Sequence, residues 1–99
     1  MKHFLIEITY TASPDRIEAV APAHREYLQT GYDSGMLLYS GPKNPRTGGI
    51  VLARANDQSE IDAFFALDPY HLHGVAEHRF VEFLPLKHQT WLSEWVSGN

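Results

Sequence analysis

Apolar and polar residues alternate along the first ten positions of the chain. Phe4, Ile6, Ile8 and Tyr10 share one side of this segment, and the residues between them lie on the other side. An alternation with a period of two is typical of a β-strand that has one buried face. The pattern therefore predicts a strand over residues 2–10.

Helical spacing follows this strand. Residues 13–15, Ser-Pro-Asp, combine an N-cap, a proline at the first helical position and an acid in the first turn. Pro22 lies inside the predicted helix and predicts a kink or restart near Ala21, and Gly31 or Gly35 is expected to end it. The apolar stripe of this helix consists of Ile17, Val20, Ala21, His24 and Leu28.

Two further strands are predicted in the middle of the chain. Residues 36–41 form the second strand and residues 50–53 the third, with the polar loop 42–49 between them. The third strand is apolar at every position, which predicts burial on both of its faces.

A second helix and a fourth strand complete the pattern. Asp57 and Glu60 have the spacing of a capping box, and they precede the apolar inner face of a helix. Residues 77–85 alternate again. The order βαββαβ predicts an α+β, ferredoxin-like fold, an antiparallel sheet with both helices on one face.

Because strand residues on the other face are also apolar, we expect that face to pair with a second copy in a homodimer.

Composition narrows the classes of protein that remain. Ninety-nine residues fit a single domain, and the absence of cysteine excludes disulfides and thiolate chemistry. A net charge of −4 makes nucleic acid an unexpected partner. The apolar run at the N-terminus is too short and too charged for a signal peptide or membrane span. We therefore expect a cytoplasmic protein without a membrane partner.

Several short motifs, taken in order, resemble the YCII-related family from residue 2 to about residue 86. They are Ala21-Pro22-Ala23-His24, Gly35-Met36-Leu37-Leu38, Ser40-Gly41-Pro42, Gly48-Gly49-Ile50-Val51-Leu52-Ala53, Asp68-Pro69-Tyr70 and Gly74 through Glu82-Phe83. The predicted organisation is a domain over residues 1–86 and an extension over residues 87–99. Trp91 and Trp95 share one helical face of the extension, so we expect a short helix that packs on the body or on a partner subunit.

The resemblance implies the dimeric α+β barrel fold, a histidine–aspartate pair in a pocket and, for some members, lyase chemistry on aromatic breakdown products. His24 and Asp68 fall on the two family positions. Gly49 stands where some members have a serine, so no hydroxyl is expected from that position.

The residues themselves leave two interpretations of this pair open. A histidine on an apolar helix stripe is commonly a core residue with one satisfied ring nitrogen, but a neutral imidazole paired with a carboxylate is also a general acid–base group. Asp68 lies at the predicted C-terminus of the second helix, where the helix dipole disfavours a negative charge. It also fits as the cap of a turn that Pro69 opens. If the two side chains meet, pairing should lower the pKa of Asp68.

Further histidines raise the alternative of a metal site. His71 and His73, with Glu77 and His78 nearby, would share a side on a strand. After Asp-Pro a helical turn is expected, in which residues two apart diverge by about 200°. No metal and no cofactor are therefore predicted, and His3 and His88 are expected at the surface.

The predicted ligand pocket lies around the same pair. The substrate-binding candidates are Tyr10, Gly41, Pro42 and Tyr70, and Tyr39 is a further residue expected to line the cavity. The loop from Gly41 to Gly49 carries Lys43, Asn44 and Arg46 and has the chemistry to hold an anion, although it lacks the spacing of a nucleotide motif. A mobile hairpin loop is the simpler interpretation.

Two functions agree with the sequence. The first is a small enzyme whose His24–Asp68 pair transfers a proton without a cofactor, as a lyase or isomerase, on a small oxygenated substrate that is aromatic or unsaturated. The second is a non-catalytic module that binds a small ligand in the same pocket.

Overall fold

The computed structural model describes all residues from Met1 to Asn99. Its elements are β1 (Lys2–Tyr10), α1 (Pro14–Asp33), β2 (Leu37–Pro42), β3 (Gly48–Ala55), α2 (Gln58–Ala66), α3 (Pro69–Leu72), β4 (Ala76–Phe83), a 3₁₀ turn (Thr90–Leu92) and α4 (Ser93–Ser97). None of the helices has the length and apolar character needed to cross a membrane.

The four main strands form one antiparallel sheet in the order β2-β3-β1-β4. β1 lies in the centre and pairs with β3 on one side and β4 on the other. Its alternate residues Phe4, Ile6 and Ile8 are fully buried beneath the helices, as the period of two requires. The predicted ferredoxin-like βαββαβ fold, with the helices on one face, is confirmed.

α1 runs without interruption through Pro22, so the predicted restart near Ala21 is wrong. Pro22 lies on the exposed side of the helix. The lost backbone hydrogen bond is outweighed because the opposite side of α1 is buried against the sheet, and packing contributes most of the stability of a helix. Gly35 follows the end of the helix with φ of 82°, a left-handed conformation that favours glycine.

β3 begins at Gly48, two residues before the predicted start. A Cβ atom at Gly48 would lie 1.8 Å from the carbonyl oxygen of Ile8, so only glycine permits this close pairing with β1. Within β3, Val51 is buried and Leu52 is half-buried on the opposite face. Burial on both faces of β3 is therefore wrong for the single chain, because helices cover only one side of the sheet.

The side of the sheet that the helices leave uncovered is called the open face here. It carries a set of apolar side chains that are exposed or half-buried: Leu5, Tyr39, Ile50, Leu52, Val81 and Phe83. Tyr39 is 64% exposed and Val81 37%. The face is thus more apolar than a sheet surface facing water normally is.

The C-terminal residues pack against one end of the open face. The Trp95 indole N–H donates to the Gly35 carbonyl oxygen at 3.0 Å, and the Arg54 guanidinium lies 5.0 Å from the Trp95 ring. His3 is buried, not at the surface as predicted, because its ring contacts Trp95 edge-on and hydrogen-bonds to the Val96 carbonyl oxygen. Trp91 is 79% exposed, so only one of the two tryptophans packs on the body.

Candidate active site

The segment Asp68-Pro69-Tyr70 builds the acidic half of the site. α2 ends at Ala66, and Asp68 is the N-cap of α3 rather than the end of α2. Pro69 has no N–H, so the first free backbone donor of α3 is that of Tyr70, which donates to Asp68 Oδ1 at 3.0 Å. The capping interpretation of Asp68 is confirmed, and the cap fixes the direction of its carboxylate.

His24 supplies the other half from the middle of α1. It follows Ile17 and Ala21 on the buried stripe of that helix and is 8% exposed. Its Nδ1 lies 2.7 Å from Oδ1 of Asp68, which is fully buried. The two side chains that the resemblance singled out thus meet directly, although they are 44 positions apart.

A third side chain completes this cluster. His78 Nε2 lies 3.0 Å from Asp68 Oδ2, so the carboxylate is held between two histidines. From the sequence, His78 was a candidate only for a metal site. A signal was available, since alternation along β4 places His78 on the same inward side as Ala76 and Phe80.

The hydrogen bonds define the protonation of the cluster. Burial by itself raises the pKa of Asp68, but hydrogen bonds from His24 and His78 outweigh it and lower the pKa to about 2. The carboxylate is therefore ionised at neutral pH and can only accept hydrogen bonds. His24 must donate from Nδ1, which leaves its Nε2 with a free lone pair in the neutral state.

Tyr70 fixes the plane of the His24 ring. The two rings are stacked with centroids 3.8 Å apart and planes 10° from parallel. The ring of Tyr10 meets Tyr70 edge-on at 5.7 Å. Burial raises the pKa of Tyr70, so its hydroxyl stays protonated at neutral pH.

A cavity of about 410 Å³ opens beside His24. Its lining includes the predicted residues Tyr10, Gly41, Pro42 and Tyr70 together with Ser40, Arg25 and Arg46. Tyr39 does not contribute, because it points to the open face. The volume lies in the range of small-molecule sites. That these residues bind a substrate stays a prediction.

Comparison with known proteins gives the family. The YCII-related domain model matches residues 1–84. The chain belongs to the YCII-related family. A search of curated proteins gave no match.

A solved structure with a similar fold is 5-chloro-2-hydroxyhydroquinone dehydrochlorinase from Burkholderia phenoliruptrix AC1100, in complex with 2,5-dihydroxybenzoquinone. It aligns with a TM-score of 0.73 and 20% identity over 90% of this chain and 97% of that chain. At this identity the likeness establishes the shared fold.

The two cations of the predicted anion loop in this YCII-related domain have different ion-pair partners. Arg46 forms an ion pair with Glu18, and its guanidinium lies 5.9 Å from the centre of the Tyr10 ring. Lys43 pairs instead with Glu7 at 3.2 Å. Of the predicted anion loop, therefore, Arg46 lies at the cavity and Lys43 does not line it.

Gly49 lines the cavity of the YCII-related domain, and a Cβ atom there would lie 3.1 Å from the Gly41 carbonyl oxygen. This leaves little room for a side chain. The serine that lines the cavity is instead Ser40, whose hydroxyl is hydrogen-bonded to the Tyr32 hydroxyl.

The histidines other than His24 lie outside this cavity. His71 is in the last turn of α3 and His73 is its C-cap, so the predicted helical turn is confirmed. His71, His73 and His88 are exposed. No group of three or more metal-ligating side chains is arranged to hold an ion, and that the protein needs no metal stays a prediction.

Proposed function

We propose that this YCII-related protein is a small-molecule enzyme of the lyase or isomerase type, in which His24 transfers a proton without a cofactor. The observation that carries the proposal is the 2.7 Å contact between His24 Nδ1 and Asp68 Oδ1 beside a cavity. The buried carboxylate of Asp68 binds Nδ1 of His24, and Tyr70 stacks on the His24 ring. These two contacts hold the base in one orientation, as proton transfer requires.

The proton transfer follows from the tautomer. Nε2 of His24 accepts a proton from the substrate, and the electron pair left behind moves into the conjugated system. In an elimination a leaving group departs with its bonding electrons, so the substrate loses a proton and an anion and no oxidant is consumed. In an isomerisation His24 returns the proton to another atom. Asp68 stabilises the imidazolium that forms between these steps.

The cavity favours a planar substrate that carries anionic or acidic oxygens. Tyr10 and Tyr70 provide aromatic walls, and Arg25 and Arg46 line the same cavity. Arg25 has no ion-pair partner within the chain, so its charge is available to a ligand. The similar dehydrochlorinase acts on a hydroxylated ring and is in complex with a dihydroxyquinone, which agrees with this substrate class.

Gly41 and Pro42 would form the wall of the cavity along β2. Both residues are part of the lining of the cavity beside His24. We assign to these two residues the role of contacting the substrate through the backbone and the proline ring.

Two measurements on the purified protein test the proposal. We expect 2,5-dihydroxybenzoquinone to raise the melting temperature, because a ligand stabilises the state that binds it. We expect 5-chloro-2-hydroxyhydroquinone, or another substituted hydroquinone from a panel, to release its leaving group in the presence of the protein. Stabilisation without turnover of any member would favour the alternative, a ligand-binding module. If no compound stabilises the protein and none is turned over, both functions are contradicted.

We further propose that the protein is a homodimer joined through the open face. Val81 lies on this face beside Leu5, to which it is paired across β1 and β4. Covering such a face removes apolar surface from water, which favours association. Light scattering at micromolar concentration should give about twice the chain mass of 11.2 kDa.

A charge on the open face should disrupt this dimer. We expect Val81→Glu to give a monomer, because dimerisation would bury an unpaired carboxylate. The matched control is Ala63→Glu on the exposed side of α2, which should leave the dimer intact. A monomeric unsubstituted protein would contradict the proposed dimer.

A further inference from the structure

The second oxygen of Asp68 has a partner with no assigned role. His78 Nε2 contacts Oδ2 at 3.0 Å, and the His78 side chain is 5% exposed. Its ring centroid lies 5.2 Å from that of Phe65 and 6.2 Å from that of Phe80. His78 belongs to β4, and these apolar neighbours hold its imidazole against the Asp68 carboxylate. His24 reaches the same carboxylate from α1.

We infer that His78 is a positioning residue that anchors Oδ2 of Asp68, so that Oδ1 remains on Nδ1 of His24. This inference rests on the proposed function, because it assigns His78 a part in the same proton transfer. His78 lies behind Asp68 and does not line the cavity beside His24. It would act on the substrate only through Asp68 and His24.

The two oxygens of Asp68 have different numbers of hydrogen-bond donors. Oδ1 accepts from both His24 and the Tyr70 N–H, whereas His78 is the single hydrogen-bond partner of Oδ2. Asp68 is fully buried. Without His78, Oδ2 would be a buried charged acceptor with no donor, and the carboxylate would have to rotate or admit water to regain one. Either change would remove the fixed geometry at His24.

His78 also separates the carboxylate from a second cavity of about 640 Å³, which His78 lines. Apart from His78 itself, the titratable residues of that cavity are Asp62, His71 and Glu77. The His71 ring lies 6.1 Å from that of His78 and does not reach Asp68 by a hydrogen bond. In this cluster the donor to Oδ2 is therefore His78 and no neighbouring side chain replaces it.

The test compares His78→Leu, which removes the donor, with His78→Gln, whose amide N–H can reach Oδ2. Carbon NMR of the Asp68 carboxyl should give a pKa about one unit or more above its present value of about 2 in His78→Leu. Nitrogen NMR should show that His24 loses the uniform Nδ1–H tautomer. Both signals should return towards normal in His78→Gln.

Activity provides a separate readout. With the substituted hydroquinone that the screen identifies, we expect kcat of His78→Leu to fall about 10- to 100-fold with little change in KM, because the base is displaced while the cavity is intact. His78→Gln should recover most of kcat. The NMR signals need no substrate, so they test the anchoring even if the proposed enzyme activity fails.

A folded His78→Leu protein in which Asp68 keeps its low pKa and His24 keeps its Nδ1–H tautomer would overturn the inference. If His78→Leu does not fold, His78→Asn takes its place, because its polar side chain is too short to reach Oδ2. The same two NMR shifts are then expected in His78→Asn, and unchanged spectra would again overturn the inference.

Discussion

His24→Gln should lower kcat/KM for leaving-group release from a substituted hydroquinone by about 10²- to 10⁴-fold, the usual contribution of a positioned general base. Glutamine keeps an N–H that can donate to Asp68 but has no titratable nitrogen for the substrate. Asp68→Asn should cause a loss of similar size, because an amide no longer fixes the Nδ1–H tautomer of His24.

The double variant distinguishes a catalytic pair from two independent effects. If His24 and Asp68 act as a unit, removing both should cost about as much activity as removing one. His73→Gln is the matched control, since His73 is exposed and lies outside the cavity. Losses that multiply in the double variant, or variants that lose stability but keep full activity, would contradict the catalytic role.

Asp68 should also make the folded protein sensitive to acid. Its pKa in the folded chain is about 2, below the ordinary value of 3.8. Ionised Asp68 therefore stabilises the folded state above about pH 4, and this stabilisation is lost as the pH falls through about 2. A shift of this size corresponds to about 2 kcal/mol. Urea unfolding should therefore give wild type a larger free energy of unfolding than Asp68→Asn at pH 6. This difference in free energy should shrink as the pH falls from about 4 to 2.

Glu26→Gln is the control for this experiment. Glu26 is exposed on α1 and forms no ion pair, so its removal should leave the pH dependence of unfolding close to that of wild type. A constant difference between wild type and Asp68→Asn across the whole pH range would mean that the charge of Asp68 is not what stabilises the fold.

The two experiments examine different consequences of one cluster. A carboxylate that accepts three hydrogen bonds while fully buried is costly to protonate, which gives the stability effect. The same bonds hold His24 in a single tautomer, which gives the effect on activity. A variant that changes one property and not the other would separate the structural use of Asp68 from the catalytic one.

Much of the site was predictable because its parts are local. The Asp-Pro-Tyr segment contains its own cap, and the helical spacing of Ile17, Ala21 and His24 places the histidine on the buried side of α1. The resemblance to the YCII-related family named His24 and Asp68 as partners. Spacing alone left open whether His24 was a core histidine, because periodicity says which residues share a face and not what lies opposite.

The amino-acid sequence by itself determined the order of elements, the helix caps and the alternation within β1 and β4, since these depend on residues only a few positions apart. Tertiary structure alone decided which faces are covered. It buried His3 beneath Trp95, turned Tyr39 to the open face and left Leu52 half-buried. It also brought His78 to Asp68, because the packing of β4 against the helices fixes a hydrogen bond that no local pattern encodes.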